Sequence, residues 1–397
     1  MTTNGSPASK RRLRGVRTAT WPIVALAVVS IVLSACSSSK SANKTSTSGG
    51  AENGSSQSLA AFNTKVDELI AKRSAAVTSL PPSSGPTAAK GKKVYIIACL
   101  QALEGCQRES KTAVQAGQVM GWDMKLIDTQ SVPDKMNAAV QQAINDNVDG
   151  IAVEAIDMAT LAGPLATAKS HGIKIVCFAC VNSNDLAAQV IPSSQSFYDD
   201  GYALAAQMYK NTGGHPRILI ISNKEVGVIA NRQRGTEQFV ADCVAAGGDC
   251  KIVSTQYFLF ADLQTRVAGL VSGSLRQNPE TNALWMAFDS TSAFITQGVQ
   301  QAGVPRSKIG LYGFDGNIPN VHDIRTGGYE VATMAGPFEW VGWAEIDALN
   351  RLFHGQSPVD NVVVSKLMTK SNLPSTDTYS GDVDFRPAYL KVWAVSS

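Results

Sequence analysis

Residues 150–178 read GIAVEAIDMATLAGPLATAKSHGIKIVCF. Positions 150–154 are an apolar run closed by Glu154, the pattern of a strand buried on both faces. Positions 160–171 read as a helix, stopped by Gly172 as a C-terminal glycine signal. Positions 173–178 are a second buried strand. Strand, helix and strand in about thirty residues make one parallel crossover unit.

The same alternation extends outward. Upstream, strands are expected at 93–99 and 124–128, with helices at 111–120 and at 134–146, just after Pro133. A further strand is expected at 188–191. The pattern then restarts, with strands at 217–222, 251–257, 283–287, 308–312, 329–335 and 361–365, and helices at 230–246, 263–275 and 291–302. Two such series predict an α/β fold of two doubly wound parallel-sheet lobes. In open α/β sheets ligands sit beyond the carboxyl ends of the strands, so the loops there hold the candidate site.

The N-terminus reads as an export signal. Lys10, Arg11, Arg12, Arg14 and Arg17 precede an apolar stretch from Pro22 to Ala35, which is too short to span a bilayer comfortably. It ends in Leu33-Ser34-Ala35-Cys36, which resembles the lipobox of bacterial lipoproteins. That resemblance implies cleavage before Cys36 and lipidation of its sulfur. The predicted order is a signal peptide over 1–35, a flexible Ser-rich tether over 36–58, and a short helix with a Pro-rich linker over 59–90. Phe62, Val66, Leu69 and Ile70 recur at helical spacing within that linker.

Composition excludes other classes. Charged residues are 17%, and the net charge of +3 owes much to the first twenty positions, so no nucleic-acid surface is implied. There is no P-loop, His-Glu-x-x-His or Gly-x-Ser-x-Gly, and His171, His215, His322 and His354 have no partner suggested by sequence. No enzyme, cofactor or metal is expected. With Cys36 lipidated, six of the seven cysteines remain. An oxidising compartment and short spacing suggest Cys243–Cys250, Cys99–Cys106 and Cys177–Cys180 as disulfides. A zinc site is disfavoured by the six-residue spacing.

From about residue 94 to 367 the chain resembles the ribose/galactose-type periplasmic binding proteins. The resemblance rests on GIAVE at 150–154, IKIV at 173–176, NRQRG at 231–235 and YGFDG at 312–316, in that order. It implies the type I periplasmic binding fold, two lobes joined by a three-strand hinge and closing on a ligand. One lobe is placed at 91–192 plus 337–365, the other at 193–336 plus 366–397 with the tail. It further implies an extracytoplasmic, membrane-anchored monomer that hands a small sugar or sugar-like solute to an ABC permease. Arg232 and Asp315 match the family's sugar-holding arginine and aspartate, and Asp289 is also kept. Gln101 and Glu104 lie in the first ligand loop.

Three polar anchors of the family are absent. Ala179-Cys180 replaces an Asp-Arg pair, Phe288 an asparagine, and Gly336 a glutamine. Phe178, Phe260 and Phe288 thus become candidate walls of a less polar pocket. The same fold binding a less polar, aromatic or other non-sugar small molecule, or a sensor lipoprotein that hands its ligand to a membrane receptor, remains an alternative. A transcription regulator would need a helix-turn-helix where this chain has its lipobox.

Overall fold

The structure is a computed structural model that describes residues 50–361 and 363–396. The expected signal peptide, Cys36 and most of the tether lie outside the described residues. No helix among those described is long and apolar enough to cross a membrane.

Two sheets organise residues 93–369. The first has the order β2 (Asp123–Asp128), β1 (Lys93–Ala98), β3 (Gly150–Glu154), β4 (Lys174–Phe178), β5 (Val190–Ile191), all parallel. The second has the order β11 (Lys366–Thr369), β10 (Glu330–Ala335), β9 (Gly310–Asp315), β8 (Ala283–Met286), β6 (Arg217–Asn223), β7 (Lys251–Phe258). It is parallel except at the edge, where β11 pairs antiparallel with β10. Strands β3 and β8 are buried along their whole length, as expected where helices cover both faces.

The connecting helices follow their local signals. Pro133 opens α3 (Pro133–Asn145) at its first turn, where the missing N–H costs nothing. Helix α2 (Glu104–Val119) starts seven residues before the expected 111, so it enters directly from the first loop. Helix α4 (Ala162–Ser170) joins β3 to β4. In the second lobe α5 (Ser194–Asn211) packs on α6 (Gly227–Ala245), followed by α7 (Leu263–Gln277), α8 (Ser292–Gln301) and α9 (Ile318–Thr326). The α5–α6 approach is close enough to require glycine. A Cβ on Gly201 would run into the carbonyl of Arg232, and one on Gly235 into that of Tyr198.

The chain passes between the sheets three times: from β5 into α5, from β10 into α10 (Phe338–Phe353), and from α10 into β11. Helix α10 packs on α2 and β4 of the first lobe. The expected strand at 361–365 is not formed among its described residues, and pairing begins at Lys366 instead.

Both chain ends are docked. Helix α1 (Gly50–Ser74) starts before the expected 59 and lies on α5. Phe62 and Val66 are buried with Tyr209 and Phe239, and Arg73 pairs with buried Asp200. The tail helix α11 (Arg386–Trp393) packs on α10 rather than on the second lobe, where the sequence reading put it. Trp393 stacks on Trp343 at 5.2 Å, Phe385 stacks on Trp340 at 5.6 Å, and the Trp393 indole donates to Asp347 Oδ1 at 3.0 Å. Trp393 is fully enclosed. Trp393→Ala is expected to lower stability by about 3–5 kcal/mol through the cavity left on α10. Urea unfolding followed by circular dichroism checks it.

Candidate functional site

The carboxyl ends of β1, β3, β4, β6, β7, β8 and β9 face one crevice between the lobes. Its lining includes Cys99 and Cys106, Ala155, Phe178 and Ala179 from the first lobe, and Val226, Phe260, Phe288 and Asp315 from the second. Helices add Phe197 from α5, Val228, Ile229 and Arg232 from α6, and Phe338 from α10. The cavity is about 70 Å³, well below the ~300–1,000 Å³ of a typical ligand pocket. The lobes are therefore closed upon each other.

Ala155, Ala179 and Asp315 all have positive φ, at 51°, 47° and 109°. Such backbone is costly for residues with a Cβ and clusters at ligand sites. Each of the three stands where a strand of the crevice ends, so its strain turns the chain out of the sheet at the cavity wall.

Arg232 is the main polar group. It is 7% exposed. Its Nη1 donates to the Ala287 carbonyl at 3.2 Å and its Nη2 to Asp315 Oδ1 at 3.1 Å. The guanidinium lies 4.5 Å from the Phe314 ring and 5.3 Å from that of Phe197. Its buried Nε has no partner within the protein. Burial raises the Asp315 carboxyl above its ordinary range, and the neighbouring Arg232 charge opposes that rise.

The rings form two groups. Phe178 meets Phe338 edge-on at 5.6 Å, and Phe260 tilts against Phe288 at 5.8 Å. Phe338 and Phe197 were not singled out in the sequence, because each sits on a helix whose local pattern carries no sign of the crevice.

Several expected contacts lie elsewhere. Asp289 is fully buried behind the crevice, not on it. Its Oδ2 accepts from the amides of Gly316 and Asn317 at 2.8 and 3.2 Å and from the Thr333 hydroxyl at 3.1 Å. It is the clamp of the turn that follows Asp315. Gln101 does not line the cavity either; its Oε1 accepts from the Ser110 hydroxyl at 3.0 Å. Glu104 crosses the seam instead, where its Oε1 accepts from the Ile318 amide of the second lobe at 2.9 Å.

Asp157, just past the end of β3, makes no side-chain hydrogen bond to the short helical turn that follows it. Its Oδ1 accepts from Val181 N at 3.0 Å and its Oδ2 from Gly227 N at 2.9 Å, across the seam. A Cβ on Gly227 would strike that carboxylate, so the contact depends on glycine.

Cysteine pairs Cys177–Cys180 and Cys243–Cys250 are disulfide-bonded. The expected third bridge is not formed. Cys99 and Cys106 are buried thiols with sulfurs 2.7 Å apart, beyond the ~2.05 Å of an S–S bond. Their mutual hydrogen bond and burial hold the Cys106 thiol well above its ordinary range.

Residues 96–357 match the family described as the periplasmic binding protein domain, about two thirds of the chain. No curated protein sequence matches. Among solved structures, the chain is similar to a solute-binding protein from Burkholderia graminis in complex with D-arabinose, at 20% identity and a TM-score of 0.64 over 73% of this chain and 98% of that one. The myo-inositol binding protein of Caulobacter matches at 17% and 0.64 over 73% and 96%. A 5-methylthioribose transporter protein from Thermotoga lettingae matches at 16% and 0.63 over 74% and 89%.

The seam yields a prediction. Asp157→Ala removes the acceptor of the Gly227 amide and is expected to weaken closure by about 1–2 kcal/mol. Small-angle scattering of the variant should show a larger radius of gyration than the wild type.

Proposed function

The chain belongs to the periplasmic binding protein family, and from that membership we propose that it is the extracytoplasmic receptor of an ABC importer. In this reading the protein is held to the membrane through lipidated Cys36. It closes on one small solute and delivers it to a permease.

The observation that carries the ligand reading is the polarity of the crevice. Arg232 and Asp315 are its charged groups, and the rest of the wall is uncharged, with the rings of Phe178, Phe197, Phe260, Phe288 and Phe338 its largest side chains. A hexose presents a hydroxyl on nearly every carbon. Each hydroxyl left unpaired in a closed site costs about 1–3 kcal/mol. Two charged partners serve one edge of a sugar, not its whole rim. We therefore assign the site to a sugar-like solute with one hydroxylated edge and one apolar end, the edge on Arg232 and Asp315 and the apolar end among the rings. A deoxy, alkyl or thioalkyl sugar has that form. The neighbour from Thermotoga lettingae in complex with 5-methylthioribose is an example of a similar fold holding such a molecule.

Calorimetry on the domain tests this. 5-Methylthioribose and related substituted pentoses should bind at least tenfold more tightly than ribose, arabinose or glucose. Tight binding of an unsubstituted hexose would overturn the assignment. Arg232→Ala should weaken the best ligand at least tenfold, about 1.5–3 kcal/mol, since its acceptors would be left unpaired.

The anchor is tested separately. Cys36→Ser is expected to leave an unprocessed precursor or release the protein from the membrane fraction. Mass spectrometry of the wild type should find an acyl group on Cys36, and its absence would refute the anchor.

A further inference from the structure

Buried carboxylates normally face a cation or a row of hydrogen-bond donors, because an unpaired charge in the interior is prohibitively costly. Most buried acids here obey that rule. Asp347 is paired with Arg351, Asp315 with Arg232 and Asp200 with Arg73. Asp289 accepts from two amides, and Glu330 accepts from the Asn320 side chain.

Three acids of the first lobe depart from it. Glu109 on α2, Glu154 at the end of β3 and Glu345 on α10 are each 0% exposed. No donor from outside the trio reaches any of their six oxygens. Three oxygens, one from each carboxyl, lie within 4.8 Å of one another. The cations on the same helices are engaged elsewhere: Arg108 with Glu339 and Arg351 with Asp347, while Lys111 points to solvent. Three separate elements thus aim fully enclosed, unpartnered carboxyls at one point.

We propose that Glu109, Glu154 and Glu345 together bind one hard divalent cation, with calcium the best fit. An all-carboxylate donor set selects hard cations over the softer transition metals. Coordination then decides among the hard ones. Magnesium usually keeps several waters, whereas calcium takes about six to eight oxygen ligands and accepts bidentate carboxylates. Three carboxylates able to bind in bidentate fashion supply six oxygens, which is within the calcium range without any water.

The position gives the ion a structural role. Cys106, one helical turn before Glu109, lines the crevice, as do Ala155 immediately after Glu154 and Phe338 at the start of the helix that carries Glu345. An ion at the trio would cross-link three of the elements that form the first lobe's wall. This inference stands whatever solute the crevice takes.

The test uses the whole mature protein, purified without chelator. Inductively coupled plasma mass spectrometry should find about one calcium per chain. Stripping with EGTA should lower Tm by about 5 °C, and added calcium should restore it. Glu154→Gln should abolish both the bound ion and the response. A wild-type protein that carries no ion, with the same Tm in EGTA, calcium and magnesium, would overturn the proposal and leave protons alone to hold the cluster. A response to magnesium but not calcium would overturn the choice of ion. If Glu154→Gln does not fold, the wild-type measurements decide.

Discussion

A guanidinium withdrawn from water must find acceptors and a flat apolar bed, and much of the second lobe is arranged to give Arg232 both. Its acceptors come from the ends of two neighbouring strands, the Ala287 carbonyl after β8 and the Asp315 carboxylate closing β9. Its bed is the faces of Phe314 and Phe197. Asp315 reaches it from a strained backbone, at φ 109°. That conformation is held from below, because Asp289 grips the next two amides and is itself fixed by Thr333. On the other side, the helix carrying Arg232 lies against α5 closely enough that Gly201 and Gly235 have no room for side chains. Displacing any of these layers moves the polar pole of the crevice.

The parts of this arrangement that leave a local imprint were legible in the sequence. Strands buried on both faces are short apolar runs, so β3, β4, β6 and β8 stood out with nearly their observed bounds. Arg232 and Asp315 sit in short distinctive motifs and do line the crevice. Helix α10 left no such mark, because almost every residue from Phe338 to Arg351 is buried, the charged ones included, so its polar positions do not trace a solvent face. Glu104 and Asp289 were misjudged for a different reason. Each accepts from backbone amides, and a backbone partner has no letter in the sequence.

The tail shows how remote residues support the site. The family match ends at 357, yet residues beyond it cover α10 with a layer of rings. The layer is tied by polar contacts as well: the Tyr389 hydroxyl donates to Asn361 at 2.7 Å and the Trp340 indole to Tyr389 at 3.2 Å. Arg351 reaches back to the Ser84 carbonyl at 2.7 Å, which holds the linker before β1 against the same helix. Helix α10 begins with Phe338, a wall of the crevice. The tail and the linker therefore brace the first lobe's wall from behind, where no ligand contact is made.

Closure itself rests on few bonds. Across the seam stand the carboxylates of Asp157 and Glu104, each accepting from one amide, and Arg108, whose Nη1 donates to the Gly316 carbonyl at 3.3 Å. Partly exposed hydrogen bonds to charged groups contribute about 1–2 kcal/mol each. Each is exchanged for a bond to water when the lobes part, so these bonds alone favour closure only modestly. A solute that fills the space between the rings adds apolar burial available only when the lobes are together. Only such a difference in affinity between the two forms can shift their populations. The seam bonds thus set the geometry of closure, and the contents of the crevice supply its drive.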